Sequence, residues 1–318
     1  FYSESCGYDF SKPKKSLVNF AKKVGLEKTE TPNAIFCLQT YFSLILTLLA
    51  SDIVSYRTVA ALEGFLEHLL NCSKEELIQI FKDLPEGGIF ENMGVKNFLE
   101  GDFFWWFTEE WTEDLEKHII KIIEMLNKYE PPSSSVYSRD VKDILKELYE
   151  DLIPHSVRHD MGEFYTPNWI AEFIISNINL EENKRLLDPT CGSGTFLIQA
   201  IQKTRDQLGK HKDETELLES IINNIIGIDL NPVAIITART NYLLAIADLI
   251  PFSKGSLFIP IFLADSIASS KRTTLNPASE ETPLSSSYIM RTSIGLRFPM
   301  VPLSTSSILC SNAGTSSL

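Results

Sequence analysis

The stretch Leu186-Leu187-Asp188-Pro189-Thr190-Cys191-Gly192-Ser193-Gly194-Thr195-Phe196-Leu197 constrains the fold more than any other part of the chain. It reads as an apolar strand that passes through a glycine turn directly into a helix. Gly192 and Gly194 permit a close backbone approach to a ligand that a side chain would block. Asp188, at the strand end, is placed to accept hydrogen bonds from an ammonium group. A dinucleotide fingerprint would need a third glycine where Leu197 stands, and a phosphate loop would need Gly-Lys-Ser/Thr after four spacers. Neither pattern is present, so the turn is not expected to hold a pyrophosphate.

The surrounding pattern places this turn in an α/β fold. Arg185 to Asp188 is expected as a strand, Thr195 to Leu208 as a helix, Ile221 to Asp229 as a second strand approach and Ile235 to Ile250 as a further helix. Phe258 to Ala264 follows as a third strand, ending at Asp265. This alternation predicts a doubly wound sheet that binds ligands at the carboxyl ends of its strands. Asp229 closes Ile226-Gly227-Ile228-Asp229-Leu230-Asn231-Pro232, where a carboxylate suits the two hydroxyls of a ribose. In dinucleotide folds the corresponding acid follows the glycines by about twenty residues. Here the gap is longer, and Gly209 to Glu219 accounts for the difference. Asp265 is suited to accept the exocyclic amino group of an adenine. Three strand-end acids beside one glycine turn fit a cationic amino acid joined to a nucleoside.

Residues 14 to 150 carry a different texture, mostly helical. Apolar positions recur at three and four residue spacing, as in Leu115, Ile119, Ile122, Ile123 and Leu126. Ser73 followed by Glu75, Glu76 and Leu77 is a helix start with acids in its first turn. Ala34 to Ala50 is as long as the shortest membrane spans, but Gln39, Thr40, Ser43 and Thr47 make a buried helix the better reading. Pro131, Pro132 and Ser133 to Ser135 form a turn or linker, after which Val141, Ile144, Leu145 and Leu148 resume a helical stripe. The expected organisation is a helical domain over 1–140, a cofactor core over 141–268 and a tail over 269–318. That tail is rich in serine and threonine, and is either a β-rich piece of a further domain or disordered.

Composition narrows the setting. The five cysteines are odd in number and never spaced as CxxC, so neither a disulfide framework nor a zinc site is indicated, and a reduced, cytoplasmic setting is expected. A net charge of −13 argues against a large basic surface for neutralising phosphates, although a few lysines and arginines can focus a field in a cleft. The chain opens on Phe1 without a basic and apolar leader, so it reads as an internal fragment.

With these residues in view, Asp188-Pro189-Thr190-Cys191-Gly192-Ser193-Gly194-Thr195-Phe196 resembles the cofactor loop of N6-adenine DNA methyltransferases of the type I modification subunit and fused restriction-modification kind. Gly162-Glu163-Phe164-Tyr165-Thr166-Pro167 is similar to the family segment that cradles the methionine end of the cofactor. Leu148-Tyr149-Glu150 through Ile153-Pro154 and Arg158 is similar to the lead-in of large fused members, and Asn97-Phe98-Leu99-Glu100-Gly101-Asp102-Phe103-Phe104 has the same family look. The resemblance implies a Rossmann-like S-adenosyl-L-methionine-dependent methyltransferase core preceded by a helical domain. It further implies that Tyr165, Thr166 and Pro167 hold the carboxylate end of the cofactor, Asp188, Pro189, Gly192 and Gly194 the methionine moiety, Asp229 the ribose and Asp265 the adenine. Double-stranded DNA and a specificity or nuclease subunit or domain are the implied partners, with no membrane.

The chain departs from the family at the catalytic loop. Such enzymes carry Asn/Asp-Pro-Pro-aromatic, in which an amide and a backbone carbonyl accept hydrogens from the adenine nitrogen while an aromatic ring stacks on the flipped base. The nearest run is Asn276-Pro277-Ala278-Ser279, which lacks the second proline and the aromatic. It is not assigned as catalytic, and the chain reads as ending before that loop. Two other functions are open: an RNA methyltransferase of the guanine-N2 type, which shares a similar glycine loop, and a non-catalytic cofactor-binding or assembly module. Cys191 is expected to be a small packed residue, because nothing near it supplies a base. His155, Arg158 and His159 are expected as a solvated helix end. Phe103 to Phe107, with Trp105 and Trp106, are expected in the core, and Lys12, Lys14, Lys15, Lys22 and Lys23 on an exposed surface.

Overall fold

A computed structural model describes residues 13–58, 64–92, 94–99, 104–128, 153–161, 166–180, 184–266 and 309–312. Four of its described helices start where a side chain accepts a free N–H of the first turn, at Ser73, Thr112, Asp213 and Asn231. In α1 (Lys15–Lys23), Leu17 and Ala21 face inward while Lys22 and Lys23 sit at the negative end of the helix dipole. The 28-residue α2 (Thr31–Thr58) is long and apolar enough to cross a membrane by length and composition. It lies inside the protein, with Phe42, Leu46 and Leu48 fully enclosed, packed against α1 and against α3 (Phe65–Asn71). Ser73 caps α4 (Lys74–Asp83) in a reciprocal capping box with Glu76. The short α5 (Gly88–Asn92) follows. Thr112 caps α6 (Glu113–Leu126), whose first turn holds Glu113, Asp114 and Glu116 and whose inner face buries Ile119 and Ile123. The expected stripe at 141–148 and the linker at 131–135 lie outside the described residues.

After α7 (His155–Met161) and α8 (Asn168–Ser176), the chain alternates strand and helix. β1 (Lys184–Asp188) leads through the glycine loop to α9 (Thr195–Leu208). α10 (Glu214–Asn224) leads to β2 (Ile225–Asp229), and α11 (Pro232–Ile246) leads to β3 (Ile261–Leu263). β1, β2 and β3 are parallel neighbours, with Leu187 opposite Ile226 and Ile228 opposite Phe262. A fourth strand, β4 (Leu309–Asn312), pairs antiparallel with β1, so the sheet order is β3-β2-β1-β4. The result is a mixed α/β core with a small, largely parallel sheet and a helical N-terminal region.

Several expected boundaries change. Residues 221–224 belong to α10 rather than to the strand: the helix, capped by Asp213 through the Glu216 N–H, runs to Asn224. The next helix begins at Pro232, since Asn231 accepts the Val233 N–H at 2.9 Å and proline suits the first helical position. It ends at Ile246, and residues 250–252 form a separate 3₁₀ turn. The third strand is confined to 261–263, so Asp265 lies just beyond its end. Within the tail, residues 309–312 are a strand.

One apolar core joins the two textures. α2 packs along α11, every residue of which is buried, and Leu46, Phe98, Leu197 and Ile236 belong to the same buried cluster. A second cluster, Leu187, Ile226, Ile228 and Phe262, lies on the opposite pleat of the strands. Phe104, Trp105 and Phe107 are in the core as expected, but Trp106 is half exposed and donates its indole N–H to Thr40 Oγ1 at 3.1 Å.

Candidate cofactor site

The carboxyl ends of β1 and β2 are tied together by the glycine loop. The Cys191 N–H donates to the Ile228 carbonyl at 2.9 Å, and the Gly192 N–H to Asp229 Oδ2 at 2.8 Å. The loop therefore crosses the end of β2 before turning into α9. Gly192 and Gly194 have φ of 54° and 88°, a left-handed conformation that glycine adopts without steric cost. Asn241, buried on α11, donates to the Ser193 carbonyl at 3.0 Å and supports the loop from beneath. Gly227 supplies the space: a Cβ there would stand 2.7 Å from Leu197 Cδ1 and 3.0 Å from Cys191 Sγ. A strand glycine of this kind marks a close approach.

The three strand-end acids differ in environment. Asp188 is 4% exposed. Its Oδ1 accepts the Thr190 N–H at 3.2 Å, whereas its Oδ2 is buried without a hydrogen-bond partner. Burial, reinforced by the neighbouring Asp229 charge, raises its carboxyl pKa to about 6. Asp229 is also raised by burial, against the lowering effect of N–H groups from Asn231, Gly192 and Leu230. Its two oxygens each take one backbone N–H at 2.8 Å, from Asn231 and Gly192. A carboxylate offers about four acceptor positions, so acceptor capacity remains for a ligand hydroxyl beside these backbone groups. Asp265 is exposed. It joins the same edge because the adjacent Ala264 N–H donates to the Asp229 carbonyl at 2.9 Å.

Of the remaining expected residues, Pro189 is half-buried in the loop and Tyr165 lies outside the described residues, as do Gly162 to Phe164. Thr166 and Pro167 open α8, with Pro167 at its N-cap. That helix is fastened to the glycine-loop helix by Lys203 of α9, which donates to the Ile175 and Ser176 carbonyls at 2.8 and 2.9 Å and also to the Ile178 carbonyl. Cys191 is buried, and its thiol is held well above the ordinary range by desolvation and by the two nearby carboxylates, the environment of a packed residue rather than of a nucleophile.

His155 and His159 are exposed as expected, whereas Arg158 is buried and donates to the Ile153 carbonyl at 3.2 Å, closing the turn that starts α7. Lys14, Lys15, Lys22 and Lys23 are exposed, with Lys14 paired to Asp160, and Lys12 lies outside the described residues. Gly227, Asn241 and Lys203 were not among the expected site residues. Gly227 carried a signal, a glycine inside an apolar strand, and Asn241 another, a polar residue in an otherwise apolar helix.

A glycine turn and a buried acid with an unpartnered oxygen thus stand together at the carboxyl ends of β1 and β2, with Asp265 two residues past the end of β3. Residues 140–277 match the family described as N-6 DNA Methylase. It is 31% identical over 112 residues to the adenine-specific methyltransferase PglX of Streptomyces coelicolor, covering 32% of this chain and 9% of that protein. It is 28% identical over 124 residues to the type I restriction enzyme EcoEI methylase subunit of Escherichia coli, covering 39% and 24%. It is 26% identical over 250 residues to the putative type II restriction enzyme and methyltransferase RM.MjaORFECS2P of Methanocaldococcus jannaschii, covering 57% and 20%. The chain thus spans less than a quarter of the length of these relatives.

Proposed function

We propose that this chain supplies the S-adenosyl-L-methionine-binding part of an adenine-N6 DNA methyltransferase in a restriction-modification system. The observation that carries the reading is the buried, unpartnered Oδ2 of Asp188 beside a glycine loop clamped to Asp229. A buried carboxylate oxygen without a donor costs free energy unless a ligand supplies one. The ammonium of a methionine moiety is a donor of the right charge.

In this reading Asp188, Pro189, Gly192 and Gly194 receive the methionine moiety, and Tyr165, Thr166 and Pro167 its carboxylate end. Asp229 accepts from the ribose hydroxyls, and Asp265 accepts the adenine amino group. When bound, the cofactor supplies an activated methyl group on a sulfonium. The residues of this chain named above bind and orient that group. Acceptance of the adenine hydrogens is the work of an Asn/Asp-Pro-Pro-aromatic loop, a run that the 318 residues do not contain. Asn276-Pro277 lies outside the described residues. The proposed partners are double-stranded DNA and a specificity or nuclease subunit, and the proposed setting is the cytoplasm.

The test is transfer of labelled methyl from S-adenosyl-L-methionine by the full-length protein to which this segment belongs. Label recovered as N6-methyladenine in duplex DNA is the expected result. Label in RNA and none in DNA would overturn it. A second reading is a cofactor-binding module that assembles with a catalytic chain. A full-length protein that binds the cofactor but transfers methyl only when a partner chain is added would select it.

A further inference from the structure

The segment around Asn97 lies far in sequence from the cofactor loop, yet it is bonded to the strand that leads to Asp265. Val95 forms a parallel bridge with Leu257. The Leu257 N–H donates to the Gly94 carbonyl at 2.7 Å, and the Lys96 N–H to the Leu257 carbonyl at 3.0 Å. Two residues further along, the Asn97 side chain takes over from the backbone. Its Nδ2 donates to the Ile259 carbonyl at 2.9 Å, and its Oδ1 accepts the Ile259 N–H at 2.8 Å. The amide is 2% exposed and supplies both halves of what a neighbouring strand would offer to one residue.

Arg239 of α11 extends the same connection. Its Nε and Nη2 donate to the Ile261 carbonyl at 3.1 and 3.0 Å, and its Nη1 to the Phe98 carbonyl at 3.2 Å. From Ile259 onward the backbone is then held repeatedly. The Pro260 carbonyl accepts from Gly227, the Ile261 carbonyl from Arg239, and Ala264 donates to Asp229. Asp265 follows immediately. Asn97 thus holds the backbone six residues before Asp265, and Arg239 ties the intervening segment to Phe98, the neighbour of Asn97.

We infer that Asn97 is a positioning residue for the adenine end of the cofactor site: its amide fixes the height of β3 and, through it, the place of Asp265. The helical region thereby sets nucleobase discrimination without touching the ligand. This inference rests on the reading of Asp265 as the acceptor of the adenine amino group.

The experiment compares binding of S-adenosylhomocysteine and S-inosylhomocysteine, which differ at that amino group, to the chain and its variants by calorimetry. A lost hydrogen bond to a charged acceptor is expected to make the unaltered chain prefer the adenosine compound by about tenfold or more. Asp265→Ala is expected to bring that ratio close to one. Asn97→Ala is expected to do the same, and the double variant to change it no further, the non-additivity of residues acting on one contact. Asn97→Asp, which keeps an acceptor for the Ile259 N–H and loses the donor, is expected to fall between. A general loss of stability would lower affinity for both compounds and leave their ratio unchanged.

If Asp265→Ala leaves the ratio unchanged, Asp265 is not the adenine acceptor, and this inference falls with that reading. If Asp265→Ala abolishes the preference while Asn97→Ala and Asn97→Asp retain it, the reading of Asp265 stands and the role of Asn97 is overturned. Failure of both Asn97 variants to fold, judged by circular dichroism, would assign Asn97 to stability alone and equally overturn it.

Discussion

Asp229 Oδ2 accepts the Gly192 N–H at 2.8 Å, so the acid that ends β2 also shapes the turn that follows β1. Ribose binding and loop geometry are thus carried by one carboxylate. Asp229→Ala is expected to leave the part-buried Gly192 and Asn231 N–H groups without their acceptor and to remove both proposed hydroxyl contacts. Hydrogen bonds to a charged group contribute about 1.5–3 kcal/mol each, so S-adenosyl-L-methionine affinity is expected to fall by about 100-fold or more. Calorimetry reads this directly. Unchanged affinity would remove Asp229 from the site.

Asp188 gives the ligand-free protein a specific pH signature. Its pKa is raised to about 6 from an ordinary value of 3.8. The folded chain therefore holds a proton that the unfolded chain releases between about pH 4 and 6. Stability from this group is fully present below about pH 4 and is lost as pH rises through about 6, an amount of about 3 kcal/mol. Asp188→Asn is accordingly expected to match the parent near pH 4, to exceed it in denaturant midpoint at pH 8 and to lose cofactor binding at both. Parallel denaturation curves at both pH values would show that burial of this charge carries no cost.

Cofactor affinity is expected to follow the same titration. A ligand ammonium beside Asp188 favours its charged form, so binding releases a proton below about pH 6. Affinity should rise with pH up to about 6 and level off above it, and calorimetry in buffers of different ionisation enthalpy should show proton release at pH 5.5. A flat profile would contradict the contact.

Gly227→Ala tests the seat of the loop. The added carbon would stand 2.7 Å from Leu197 and 3.0 Å from Cys191. Overpacking of this kind costs about 1–3 kcal/mol and would lift the loop from β2. A lower denaturation midpoint together with weaker cofactor binding is expected, whereas an unchanged midpoint would show that the contact relaxes freely.

Lys203→Met should loosen α8. It removes one ammonium that serves three carbonyls, at a cost of about 1–3 kcal/mol. Faster amide hydrogen exchange through Asn168–Ser176 is expected, with exchange in α11 unchanged. Equal exchange in α8 of parent and variant would show that Lys203 does not fasten it.

The local order of the core was legible because each unit wrote its own signal. Thr195–Leu208 was readable to the residue, since the glycines that open it and the apolar face that buries it lie next to each other in the sequence. Ser73 and its partner Glu76 announced a helix start in the same way. The boundaries that moved are those where apolar residues stand on both sides of a change of structure with only short polar breaks between, Asn223-Asn224 at one and Asp248 at the other. Periodicity cannot divide such a run.

Asp188 and Asp229 could be placed from sequence because a strand followed by a turn puts its last residue at the carboxyl edge, whereas Asp265 lies two residues past its strand. The supporting groups could not. Asn241, Arg239 and Asn97 act through backbone carbonyls 48, 141 and 162 residues away, and such partners leave no local pattern.

The most direct measurement is calorimetric titration of the purified chain with S-adenosyl-L-methionine, with Asp229→Ala as the control and NAD as the competing ligand. Saturable binding that the substitution abolishes and NAD does not displace is the result expected of a cofactor site built on Asp188, Gly192 and Asp229. No binding by a chain shown to be folded, or displacement by NAD, would contradict it.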